Sequence, residues 1–86
     1  MMSTTAWLLM ARHQTPSIPL ASVCEEHFGL SLHEANRAAQ LNKLPIPTYR
    51  VGAGQRAPRH VHINDLAALI DQRRAAAQKS WNTSKV

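Results

Sequence analysis

RVGAGQRAPRHVHINDLAALI, residues 50–70, carries the most informative pattern in the chain. Two short strand-like runs, Tyr49-Arg50-Val51 and His60-Val61-His62-Ile63, flank a loop that holds Gly52, Gly54, Pro58, Arg56 and Arg59. The glycines allow backbone angles that other residues resist. Val61 and Ile63 alternate with His60 and His62, as in a half-buried strand. Asn64 then offers an N-cap, and Asp65 suits the positive end of a helix dipole. Leu66, Leu69, Ile70 and Ala77 define the buried face of that helix, while Arg73, Arg74 and Lys79 favour its negative end. The order predicts a two-stranded β-hairpin wing over Arg50 to His60, pinned by a closing helix from Asn64 to Lys79. Trp81 to Val86 reads as a polar tail.

Upstream, two short helices stand back to back. Pro19 is tolerated at a helix start because its missing N–H would be unpaired there. Leu20, Val23, Cys24 and Phe28 repeat at helical spacing, and Gly29 supplies a left-handed stop. Ser31-Leu32-His33-Glu34 matches the S-x-x-E capping box, in which serine and glutamate satisfy each other's free backbone donors. Leu32, Ala35, Ala39 and Leu41 form a thin apolar stripe, with Asn36, Arg37, Gln40 and Lys43 projecting elsewhere. Pro45 and Pro47 end that helix and force an extended path into the first wing strand. Leu20 to Phe28 and Ser31 to Lys43 thus read as the bracing and recognition helices of a helix-turn-helix. Residues 6–14 admit either helix or strand, with Trp7, Met10 and Ala11 on one stripe if helical. Thr15-Pro16-Ser17 reads as a turn.

Charge agrees with a nucleic-acid partner. The net +5 is unevenly placed. Residues 1–30 are net acidic (Arg12 against Glu25 and Glu26), whereas residues 31–62 hold Arg37, Lys43, Arg50, Arg56 and Arg59 against Glu34 alone. A clustered excess suits phosphate binding better than solubility requires. Eighty-six residues make one small domain, which buries only about 60 per cent of its unfolded surface. The whole chain, 1–86, is read as that domain, with 1–5 and 80–86 expected to be flexible.

Enzyme chemistry is not expected. A Ser-His-acid or Cys-His set would need a scaffold this chain hardly has, and no glycine-rich phosphate loop follows a strand. Five histidines and one cysteine raise the question of a metal. Neither Cys24 with His27 nor His60 with His62 has the companions of a structural zinc site, so no metal and no cofactor are expected. Cys24 reads as core; His60 and His62 are expected to face solvent or phosphate. A single cysteine forms no internal disulfide, which favours a reducing compartment. No apolar run approaches a membrane span, and a cytoplasmic, nucleoid-associated protein is expected.

The strings Leu44-Pro45-Ile46-Pro47-Thr48-Tyr49-Arg50, Gln55-Arg56-Ala57-Pro58, Val61-His62-Ile63-Asn64-Asp65-Leu66-Ala67 and Ile70-Asp71-Gln72-Arg73-Arg74-Ala75-Ala76-Ala77 resemble the pyocin activator protein family. Thr5-Ala6-Trp7-Leu8-Leu9-Met10-Ala11, Ile18-Pro19-Leu20 and Val23-Cys24 are similar to it as well. The resemblance covers about residues 5–78 and implies a small bacterial or prophage transcription factor that activates pyocin genes at a promoter element. More loosely, the arrangement resembles excisionase and MerR-type winged domains, some of which bend DNA as recombination directionality factors.

The sequence therefore predicts an α+β, mainly α, winged helix-turn-helix that binds double-stranded DNA. Ser31, His33, Asn36, Arg37, Gln40 and Lys43 are the candidates on the recognition helix, and base-edge readout falls to His33, Asn36, Arg37 and Gln40. Arg50, Gln55, Arg56, Arg59 and His60 are the candidates on the wing, for phosphate or a narrow minor groove. Arg50 is the weaker of these, because strand alternation can aim it inward. RNA polymerase is a further expected partner, and a homodimer or an array on DNA would extend a small footprint, with Trp7, Leu8 and Met10 as its contact. The alternatives are a directionality factor, or an antirepressor or adaptor whose basic face meets an acidic protein.

Overall fold

The computed structural model describes residues 3–54 and 56–84; Gln55 lies outside the described residues. Helix α1 (Thr4–His13) leads into strand β1 (Ser17–Pro19), then α2 (Leu20–Phe28) and α3 (Leu32–Gln40). Strands β2 (Tyr49–Arg50) and β3 (Arg59–His62) follow, and α4 (Ile63–Ser84) ends the described chain. Residues 6–14, open between helix and strand in the sequence, are helical as far as His13. Ser3 Oγ caps α1 by accepting from the Ala6 N–H at 3.1 Å.

The three strands form one antiparallel sheet in the order β1-β3-β2. The hairpin predicted from residues 49–63 is present, and a third strand joins its far side. Ile18 stands opposite Val61, Ser17 opposite His62, and Pro19 opposite His60. The sequence reads Thr15-Pro16-Ser17 as a turn and Pro19 as a helix start, because a three-residue strand that follows Pro16 and ends on Pro19 carries no alternation to detect. Proline is admissible there, since β1 is an edge strand and Pro19 is its last residue.

The core lies where the helices meet this sheet. Ala6 and Leu9 of α1, Ile18 of β1, Leu20, Val23 and Cys24 of α2, and Ala35 and Ala39 of α3 are buried. Ile46 of the α3–β2 connection, Val61 of β3, and Ile63, Leu66, Ala67 and Leu69 of α4 complete it. Three apolar stripes need correction. On α3 and its C-cap, Leu32 and Leu41 stand 44 % and 54 % exposed, which leaves Ala35 and Ala39 as the buried side. On α1 the buried side is Ala6 and Leu9 with Met10 packed beside them, and Trp7 stands 62 % exposed. On α4 Ala77 is exposed, as is every described position from Asp71 to Ser84, although Asp71 and Arg73 still bond to Thr5 and to the His27 carbonyl. That helix also continues to Ser84, through part of the stretch the sequence reads as a polar tail. Its start differs too. Ile63 is already helical, and the Asn64 N–H donates to His62 Nδ1 at 3.0 Å, so His62 fills the capping role assigned to Asn64.

Candidate nucleic-acid interface

Two local devices place α3. Gly29 takes a left-handed conformation (φ 65°) at the end of α2, its N–H bonded to Glu25 O, and the chain turns within a few residues into α3. Ser31 and Glu34 form the capping box in both directions, each hydrogen bond 3.2 Å long. The Ser31 contacts hold the Glu34 carboxyl below its ordinary pKa, so it stays ionised at the helix's positive end. At the other end Asn42 is left-handed (φ 53°), and Lys43 N–H donates to Ala38 O at 2.8 Å. This stops the helix at Gln40 and leaves Lys43 on the exit turn, three residues short of the predicted end.

The wing is set by a reciprocal pair of arginines. Arg50 and Arg59 stand opposite one another across β2 and β3. Arg50 Nη1 donates to the Ala57 carbonyl at 2.7 Å, and Arg59 Nη1 donates to Thr48 Oγ1 at 3.3 Å. Arg50 is exposed, so strand alternation does not turn it inward.

Between α3 and the wing lies an open cleft of about 600 Å³. His33, Asn36, Arg37 and Gln40 line it from α3; Arg50, Arg56 and Arg59 line it from the wing, with Ala57 and Pro58 between them. No carboxylate is among these lining residues. Four arginines thus converge on one concave surface together with amide and imidazole groups that can donate or accept hydrogen bonds.

The remaining candidates lie elsewhere. Ser31 Oγ is committed to the cap. Lys43 is exposed outside the cleft lining. His60 is half-buried on the sheet, its Nδ1 3.1 Å from Ser17 Oγ, which also accepts from the Tyr49 hydroxyl at 2.8 Å. His60 and His62 therefore serve the scaffold, the first bridging to β1 and the second capping α4, instead of facing solvent freely. The Tyr49–Ser17–His60 chain and the Arg59–Thr48 contact are absent from the sequence reading, since both depend on strand register. Only the period-two alternation, which separates Arg59 from His60, hints at them.

Cys24 is core, 2 % exposed. Among the described residues no group of three or more His, Cys, Asp or Glu side chains is placed to hold a metal ion. No described helix is long and apolar enough to cross a membrane.

A mainly helical α+β domain with a three-stranded antiparallel sheet, a capped helix and a cationic hairpin around one cleft is consistent with the winged helix-turn-helix class. The chain belongs to the family described as pyocin activator protein PrtN, whose sequence model matches residues 5–77. This membership points to a role in transcriptional activation. No curated protein and no solved structure matched the chain.

Proposed function

We propose that this protein is a sequence-specific DNA-binding activator of prophage or pyocin-like genes. One observation carries the DNA reading: α3 and the wing, 10 or more residues apart in sequence, present four arginines to a single cleft with no carboxylate in its lining. Such a surface attracts phosphate, and duplex DNA offers a dense array of it. In this reading α3 enters the major groove, where Asn36, Arg37, Gln40 and His33 match base-edge donors and acceptors. Arg56 and Arg59 meet phosphate or the minor groove, with Lys43 on the flanking backbone. A cytoplasmic location follows from that target.

A domain of this size covers few base pairs. Trp7 and Leu8, 62 % and 67 % exposed, give a second copy an apolar surface to meet. Bound at a promoter, the protein would then act by contacting RNA polymerase or by deforming the site.

The direct test is binding of the purified protein to duplex DNA across a salt series. Affinity should fall steeply with salt, and absence of binding at low salt ends the proposal. Arg37→Ala should cost about 1–3 kcal/mol on the preferred site and relax preference, whereas Arg56→Ala should weaken all sequences alike and reduce the salt slope by about one. Genome-wide mapping separates the roles: promoter sites support an activator, and sites clustered beside a prophage attachment site point to a directionality factor.

A further inference from the structure

The four arginines of the cleft are not equivalent. Arg50 and Arg59 each spend a guanidinium donor on the hairpin itself, on Ala57 O and Thr48 Oγ1. The hydrogen bonds and ion pairs recorded in the described chain include none from Arg37 or Arg56. Among the described residues of the loop between the strands, few other bonds are present. The β2–β3 ladder ends at the Arg50–Arg59 pair, and the backbone contact beyond it is a turn bond from Ala57 N–H to Gly54 O, long at 3.4 Å. The Arg50–Ala57 bond therefore spans the loop and closes it just after Arg56. It also draws the Arg50 charge along the hairpin, where its cross-strand neighbour is another cation.

Resting on the DNA reading of the cleft, we infer that Arg50 is a positioning residue: it closes the wing onto the Ala57 carbonyl and so aims Arg56 at a backbone phosphate. Arg56 makes the anion contact, and Arg50 acts through it. The wing's grip on DNA then depends on a charge-assisted hydrogen bond within the hairpin as well as on the number of charges that reach phosphate.

Two measurements on the intact protein test this. In the first, backbone order parameters are read without DNA for the wild type, Arg50→Ala and Arg50→Lys. The values for residues 51–54 and 56–58 should fall in Arg50→Ala and recover in Arg50→Lys, which keeps a donor able to reach Ala57, while those of α1 and α4 stay unchanged. An unaltered wing in Arg50→Ala overturns the inference, whatever the protein binds. In the second, the salt slope of DNA binding is compared for Arg50→Ala, Arg56→Ala and the double variant. All three should lose about one unit of slope, because each removes the same phosphate contact. A double variant that loses about two units makes Arg50 a phosphate ligand in its own right and also overturns the inference. Wild type that binds no duplex DNA sinks the DNA reading instead, and the order parameters still decide the role of Arg50.

Discussion

Gly29 stands at φ 65° with nothing within 4 Å of where a Cβ would be, so its constraint is purely conformational. Gly29→Ala should destabilise the protein by about 1 kcal/mol through left-handed strain alone, measured as a lower denaturant midpoint at unchanged m. Ser31→Ala removes the hydroxyl half of the capping box and should cost about 1 kcal/mol, again read at equilibrium. His27 behaves differently. Its side chain is 13 % exposed, its Nε2 has no hydrogen-bond partner, and Arg73 donates to its carbonyl. Burial lowers its pKa from the ordinary 6.5, against the opposing pull of Glu26, with Arg12, Arg73 and His13 lowering it further. The folded state thus refuses a proton that the unfolded chain accepts. Stability is full above about pH 6.5 and falls as pH drops from there towards the folded pKa. Replacing His27 by Leu should flatten that part of the stability–pH curve. Glu26 and Glu34, both with lowered pKa, act in a separate window: their contribution is lost as pH falls below about 4.5.

At the scale of the element, α4 does two jobs with one helix. Its first half is core, with Leu66 fully buried against the sheet and helices. Leu66→Ala should cost about 2–5 kcal/mol, since a cavity opens at the centre of the domain. The second half is solvent-exposed from Asp71 to Ser84. Truncation after Ala76 should lower helical content while shifting the melting temperature by no more than about 2–4 °C, because every described position it removes is exposed. A large drop would mean that the terminal half stabilises the body. The same contrast explains why Ala77 misleads: helical periodicity continues along α4 after the surface it would pack against has ended. On α1 two neighbouring stripes, Trp7-Met10-Ala11 and Ala6-Leu9, both satisfy the spacing; the packing partner takes Ala6 and Leu9 with Met10 and leaves Trp7 and Ala11 exposed.

For the molecule as a whole, the Cα extents of 53 × 28 × 17 Å describe an elongated body. The radius of gyration, 14.6 Å, exceeds the roughly 12 Å of a compact chain of this length. The projecting half of α4 accounts for that shape. Trp7 and Leu8 lie on the outer side of α1, which packs against α4. Replacing both with Ser should shift sedimentation at micromolar concentration towards monomer while leaving the fold intact; an unchanged profile removes this face from the proposed assembly.

Several elements are legible in the amino-acid order alone, because they rest on local chemistry. The Ser31–Glu34 capping box, the Gly29 stop, the wing loop and the apolar period of α2 are all written within a few residues, because caps, turns and amphipathicity depend on near neighbours. The candidates His33, Asn36, Arg37 and Gln40 follow from that helix, and Arg56 and Arg59 from that loop. Other features depend on partners distant in the chain and emerge only on folding. Strand β1 exists because Ile18 meets Val61. His60 is drawn to Ser17, and His62 caps α4, because register sets which side of the sheet each occupies. The cleft itself belongs to the fold: residues 33–40 and 50–59 carry their charges locally, but the sheet and core bring them face to face.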